Sequence, residues 1–443
     1  TPMHVSALLE FDAVPVDSAD TVHVLLDVTA PEQPGANRPP ATLQVVLDRS
    51  GSMAGERLEG AIRALLSLVD RLDPTDHFGL VTFDNTARVE VAAAPLTDKA
   101  AVRERIRGLR PGGLTDLSSG LLRGIQEARR VSGDRGATLL LVSDGHANQG
   151  VTDHQRLAGI ARSAHGHGVA TTTLGYGLGY DEELLGAISD GGTGSALFAE
   201  DPDTAGALIA GEVENLLAKT VQAASLRVRP VGAARAVSVV GELPSTRLSD
   251  GTVMVELGDF YSGEQRKLLL RVDVPRVAAL GPAQVAEVEV GYVEPVSLTT
   301  YTVSLPVSVN VVPGDDAAGR VPRPEVRTEL AYQEAQTAKR RAAEAMRRGD
   351  RETATGILSA ASGSLAAALP LDPSGELRAQ VADLDALAAQ AGTDDVNRTA
   401  KNLYANQYQA SRKRGRPQSA PPQPPRDTDR QAPPDAPDDR RRR

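Results

Sequence analysis

The sequence predicts a doubly wound, mostly parallel α/β domain inserted in an antiparallel β-sandwich, followed by a C-terminal helical bundle and a disordered tail. Three observations carry this reading. From residue 41 to 221, short apolar runs alternate with amphipathic stretches at helical spacing, the pattern of βαβ units. From 222 to 315, β-rich runs follow one another closely, broken by Gly, Pro and Ser-Asp turns. From 324 to 410 the chain reads as successive helices, and from 411 to 443 it carries eight Pro, mixed charge and almost no apolar side chains.

The elements follow in order. His4–Val14 and Thr21–Ala30 read as two strands around the polar turn Asp17–Asp20. A lone hairpin is marginal, so residues 1–40 are expected to pair with the later sandwich, which makes the α/β block an insertion. Pro31–Pro40, with four Pro and one Gly, is a linker. Thr42–Leu47 has the apolar continuity of a strand covered on both faces. Glu56–Leu72 places Leu58, Ile62, Leu65, Leu66 and Val69 at helical spacing and stops at Asp73-Pro74. Phe78–Phe83 and Arg88–Ala94 are strands, and Asp98–Leu109 and Ser118–Val131 are helices separated by Pro111-Gly112-Gly113. Ala137–Ser143, Val169–Gly177 and Ser195–Glu200 complete the strands. Helices over 154–168, 181–189 and 204–220 complete the domain. The sandwich runs are 225–231, 236–243, 251–260, 266–274, 283–294 and 301–312.

Composition narrows the chemistry. The chain has 443 residues and no Cys, which excludes disulfide scaffolds, thiolate-held metals and thiol catalysis. A metal site must then use oxygen or His. The net charge of −10 is uneven, because residues 411–443 carry +5 and the rest −15. An acidic body argues against nucleic-acid binding. No apolar run is expected to reach the roughly 18 residues of a membrane span. The first residues show no basic-then-apolar leader, so a cytoplasmic location is expected.

The residues that carry chemistry lie on loops after strands. Asp48-Arg49-Ser50-Gly51-Ser52-Met53 follows the first α/β strand, Asp144-Gly145 follows 137–143, and Thr115-Asp116 follows the Gly112-Gly113 break. In open α/β sheets, ligands sit outside the carboxyl ends of the strands. If the strands are neighbours, Asp48, Ser50, Ser52, Thr115 and Asp144 face one point: two carboxylates and three hydroxyls, a set suited to Mg2+. Taken singly, each element has a plainer reading as a helix cap or a turn; their conjunction carries the metal reading.

The DxSxS motif, the Thr in a Gly-rich loop and the strand-final Ser-Asp-Gly, in this order, resemble the von Willebrand factor type A (VWA) domain over residues 41–221, a Rossmann-like fold. The resemblance extends to bacterial multidomain members. It implies that the five residues form a metal-ion-dependent adhesion site (MIDAS). Ser50, Ser52 and Thr115 would bind the ion through hydroxyls, and Asp48 and Asp144 would hold it largely through water. Mg2+ is the expected ion, with Mn2+ or Ca2+ as alternatives, and a protein partner would supply an Asp or Glu to the open position. The expected function is therefore a metal-dependent protein-interaction module rather than an enzyme. An alternative is a cytoplasmic subunit working beside a separate AAA+ (MoxR-like) ATPase in complex remodelling or metal insertion, since the chain has no Walker motif. A Mg2+-dependent hydrolase would need a base, for which His146 and His154 are the nearest sequence neighbours of Asp144.

Other features read as structural first. His165 and His167 suit a helix C-terminus, with a transition-metal pair as the competing reading. Gly175–Gly179 lacks the spacing and Lys of a phosphate loop. Asp116 is either a cap or a support for Thr115. The terminal Arg440–Arg443 is a solvated run that would also suit an acidic surface.

Overall fold

The computed structural model describes residues 2–32, 38–144, 147–372 and 374–412. The tail read as disordered, with Arg440–Arg443, lies outside these, as does His146.

The chain opens with β1 (His4–Leu9), β2 (Ala13–Pro15) and β3 (Asp20–Thr29). The α/β domain follows: β4 (Thr42–Asp48), α1 (Glu56–Arg71), β5 (His77–Phe83), β6 (Ala87–Pro95), α2 (Lys99–Arg107), α3 (Leu117–Ser132), β7 (Ala137–Ser143), α4 (His154–His165), β8 (Val169–Tyr176), α5 (Glu182–Gly191), β9 (Thr193–Ala199) and α6 (Pro202–Leu217). Its sheet runs β6-β5-β4-β7-β8-β9, with only the edge strand β6 antiparallel. Numbered within the domain, this is the doubly wound order 3-2-1-4-5-6. β4 is buried along its whole length because both sheet faces are covered. On one face α1, α2 and α6 bury Leu65, Leu68, Ile106 and Ile209 against Val45 and Leu47. On the other, α3, α4 and α5 bury Leu121, Leu157 and Leu184 against Val46 and Leu141. Each such side chain contributes about 1.5–3 kcal/mol on burial.

The sandwich comprises β10 (Lys219–Pro230), β11 (Ala236–Val240), β12 (Thr246–Arg247), β13 (Val253–Tyr261), β14 (Gln265–Val274), β15 (Gly281–Glu294) and β16 (Thr299–Val312). One sheet is β1-β3-β14-β11 and the other β12-β13-β10-β15-β16-β2. The N-terminal strands therefore do join the later sandwich: Leu26 faces Leu268 in the β3–β14 register, and the α/β domain is an insertion between β3 and β10.

The structure changes the expected elements at three places. The first strand read over 4–14 breaks after Leu9. β1 stays in one sheet while β2 crosses to the other and runs parallel to β16, with Ala13 opposite Asn310. The break is fixed by Glu10, whose buried carboxylate meets His23 Nδ1 at 2.6 Å and Arg327 Nε at 3.0 Å. The last α/β helix runs over 202–217 rather than 204–220, because Lys219–Val221 is already strand, with Lys219 Nζ donating to Asp259 Oδ2 at 3.1 Å. Asp201 starts that helix earlier by accepting from Thr204 N at 2.9 Å.

The C-terminal region holds a short helix α7 (Gly314–Ala318) and then α8 (Pro324–Arg347), α9 (Arg351–Ala368), α10 (Glu376–Thr393) and α11 (Val396–Arg412). α8 to α11 share a core that includes Met346, Leu358, Leu384 and Leu403. Against the expectation that no run is long enough, Arg351–Leu371 has the length and composition of a membrane span. It passes through Ala, Ser and Gly rather than large apolar residues, and one face, with Leu358 and Leu365, packs in the bundle. The bundle also packs on the α/β domain. α11 lies on α5 and β9, with Lys401 Nζ donating to Tyr180 O at 2.6 Å and also to Glu182. Nothing in the local pattern of α11 points to this contact.

Candidate metal centre

β4 ends in Asp48, and β7 ends in Ser143, with Asp144 next. The two strands are neighbours, and the winding direction reverses between them. The crevice at such a reversal is where open α/β sheets bind ligands.

Asp48 is fully buried. Its Oδ1 accepts from Ser50 N at 2.8 Å and its Oδ2 from Ser143 Oγ at 2.7 Å. Burial nonetheless dominates, and with a smaller push from Asp144 it raises the Asp48 carboxyl to about 6, against the hydrogen bonds that favour the ionised form. A carboxylate in that position is short of countercharge.

After Asp48 the chain makes a one-turn 3-10 helix, Gly51–Met53, which carries Ser50 and Ser52 to the same side. Ser50 Oγ and Ser52 Oγ are 3.0 Å apart, and Ser52 Oγ donates to Asp144 Oδ1 at 2.7 Å. The single Ser52 proton is then used, and the Ser50 hydroxyl lies between Ser52 and Asp48. Asp144 Oδ2 accepts from Arg57 Nη1 at 2.5 Å.

Thr115 comes from the loop between α2 and α3. That loop is tied to the Ser50 loop by backbone: Gly112 N donates to Arg49 O at 2.6 Å and Gly51 N to Gly113 O at 2.9 Å. Gly112 is required there, because a Cβ would lie 2.1 Å from Asp84 Oδ2. Asp84 is itself held by Arg49 Nη2 at 2.6 Å. Thr115 is buried, its N–H donates to Asn148 Oδ1 at 3.0 Å, and its carbonyl accepts from Asn148 N at 3.1 Å.

Asp48, Ser50, Ser52 and Asp144 thus form one connected oxygen chain, with Thr115 on the loop locked beside it. Adjacent ligands of an octahedral ion with bonds of about 2.1 Å lie about 3 Å apart. The Ser50–Ser52 spacing matches such an edge, and a set of two carboxylates and neutral hydroxyls, oxygen throughout, has the chemistry of a hard divalent cation site. Among the described residues, no group of three or more His, Asp or Glu side chains is arranged to hold a metal.

The remaining candidates separate. Asp116 caps α3, its Oδ1 accepting from Ser119 N at 3.0 Å and Ser118 Oγ at 2.6 Å. His154 Nε2 lies 3.2 Å from Asp181 Oδ2. His165 Nδ1 meets Thr193 Oγ1 at 3.2 Å, while His167 Nδ1 meets Ser163 O at 2.7 Å, so the two rings face different partners. In the Gly175–Gly179 loop, Gly175 lies against the Tyr180 ring and Gly177, at φ +80°, against the Arg57 guanidinium. Sequence reasoning missed Arg57, Asn148 and the Arg49–Asp84 pair, and named Ser143 within Ser-Asp-Gly without its role as donor to Asp48. Only Ser143, adjacent to Asp144 at a strand end, carried a local signal.

Comparison with known proteins agrees with the fold of the α/β domain. Residues 43–210 match the family model of the von Willebrand factor type A domain. The chain is similar to the uncharacterized protein sll0103 of Synechocystis sp., 29% identical over 62% of this chain and 66% of that protein. It is also similar to inter-alpha-trypsin inhibitor heavy chain H1 of Sus scrofa, 30% identical over 40% of this chain but 21% of that one. The chain therefore spans just short of two thirds of the first relative and about a fifth of the second. A solved structure, a von Willebrand factor type A protein from Catenulispora acidiphila, has the same fold: TM-score 0.71, 17% identity, over 92% of this chain and 96% of that one. Over residues 43–210, the doubly wound sheet and its order are thus those of a von Willebrand factor type A domain, carried by this chain between the strands of a β-sandwich.

Proposed function

We propose that the chain is a divalent-metal-dependent protein-interaction module. Asp48, Ser50, Ser52, Thr115 and Asp144 would hold Mg2+ at the end of β4 and β7. The observation that carries this reading is the oxygen chain Ser50–Ser52–Asp144, with links of 3.0 and 2.7 Å, beside the buried Asp48. Bound there, the ion would supply an electrophile with an open position for the carboxylate of a partner's Asp or Glu. The chain's own contribution is orientation. Ser143 fixes the Asp48 plane, the Gly51–Gly113 bond fixes the Thr115 loop, and the short 3-10 turn aligns both serines. His154, one of the two base candidates, instead faces Asp181 Oδ2 at 3.2 Å.

The test is a titration of the protein with Mn2+, followed by electron paramagnetic resonance, beside Asp48→Ala. One saturable site in the wild type, displaced by Mg2+ and lost in the variant, is the expected result. No saturable site in the wild type refutes the reading. Partner capture in Mg2+ and in EDTA then identifies the ligand, and an AAA+ ATPase held only with Mg2+ would assign the chain to that machinery.

A further inference from the structure

Arg57 lies one residue into α1 and has no part in the five-residue motif. Its Nη1 donates to Asp144 Oδ2 at 2.5 Å and lies 3.4 Å from Ser52 O. The opposing loop makes room for the guanidinium. Gly177 has φ +80°, and a Cβ there would lie 2.9 Å from Arg57 Nη2. The Arg57 side chain remains 39% exposed, so the cation borders both the metal position and solvent. Another basic residue in these loops, Arg49, is matched by Asp84 and leaves the local balance unchanged.

We propose that Arg57 is a selectivity residue that biases the metal centre toward an anionic ligand. This rests on the metal reading above. Asp48 and Asp144 carry two negative charges, and Arg57 cancels one. A divalent ion held by this set keeps a net charge of +1 instead of zero. Metal binding alone is weakened, and an anionic oxygen in the open position restores neutrality. Metal and carboxylate therefore bind interdependently: each raises the affinity for the other by the same factor. The exposed edge of the guanidinium offers the second carboxylate oxygen a donor beside the ion.

The charge role and a merely structural role predict opposite signs. If Arg57 only positioned Asp144, removing it would loosen the metal. If it offsets ligand charge, removing it tightens the metal. The experiment titrates Mn2+ into full-length wild type, Arg57→Gln and Arg57→Lys, with and without acetate as the carboxylate probe. Circular dichroism checks that each variant is folded. Expected results are Mn2+ affinity at least about fivefold tighter in R57Q, wild-type affinity in R57K, and a gain on adding acetate that is larger in the wild type than in R57Q. Equal or weaker Mn2+ binding by folded R57Q overturns the proposal, as does an equal acetate gain in the two proteins. Absence of saturable Mn2+ binding in the wild type instead refutes the metal centre, and the proposal with it.

Discussion

Tyr408→Phe removes a single hydroxyl from the contact between the helical bundle and the α/β domain. Tyr408 is buried in α11, its hydroxyl donating to Asp190 Oδ1 at 2.6 Å and lying 2.9 Å from Ser189 Oγ at the end of α5. Phe fills the same ring volume, so no cavity term enters. A hydrogen bond to a charged group contributes about 1.5–3 kcal/mol, and Ser189 keeps its bonds to Leu185 O and Gly186 O. The expected loss is about 2 kcal/mol, localised to the docking of α11. At about 1.4 kcal/mol per decade, that is roughly a 30-fold rise in α11 amide exchange. Native-state hydrogen exchange by mass spectrometry reads it, with β4 as the internal reference. A change in α11 below about twofold, or an equal rise in β4, refutes the reasoning that this bond clamps the helix locally.

Three further outcomes follow from the same geometry. Ser143→Ala leaves Asp48 Oδ2 without its 2.7 Å donor in a buried site, so thermal or chemical unfolding should show a loss of about 1–3 kcal/mol. Gly124→Val would drive a Cβ to within 2.2 Å of Val46 Cγ2, lifting α3 off the sheet. Overpacking of this kind costs about 1–3 kcal/mol or more, read as a lowered denaturation midpoint. The third concerns Asp76. Burial would raise its carboxyl, but Arg38, bonded at 2.6 and 2.7 Å, with the N–H groups of Ala41 and Asp73, holds it below the ordinary 3.8. A depressed folded pKa stabilises above the unfolded value and is lost as pH falls through the folded one. The stability gap between wild type and Arg38→Met should therefore be full at about pH 6 and shrink as pH falls toward the depressed folded value; a gap unchanged at lower pH would refute the linkage.

Why some elements were legible in the sequence is a matter of where their determinants sit. β4 and β7 could be read because a strand covered on both faces must be apolar throughout, and Thr42–Leu47 and Ala137–Ser143 are nearly so. α1 could be read because its core face repeats at helical spacing. The N-terminal strands could be sent to the sandwich by a stability argument, since a hairpin alone cannot bury its apolar face. Their split between two sheets was not legible. It depends on Glu10 meeting His23 and Arg327, and Arg327 is more than 300 positions away. The end of α6 failed for a related reason. Leu-Leu-Ala-Lys-Thr suits a helix locally, and only Asp259, distant in sequence, draws Lys219 into the strand.

The site divides along the same line. Asp48, Ser50 and Ser52 sit within five positions, so their convergence needs only a strand, a tight turn and a helix start, all encoded locally. Asp144 and Thr115 follow once the strand order is known, because the winding of the sheet brings their loops to the same end. Arg57 is close in sequence and was still missed. On a helical wheel it is one more exposed basic residue near an N-terminus, where a cation is slightly unfavourable to the helix dipole. What gives it a role is the glycine at 177 that leaves room for the guanidinium, and Asp144 from a third strand end. A motif written as ligand positions therefore describes which atoms can touch an ion, while the net charge those atoms present is set by a residue outside it.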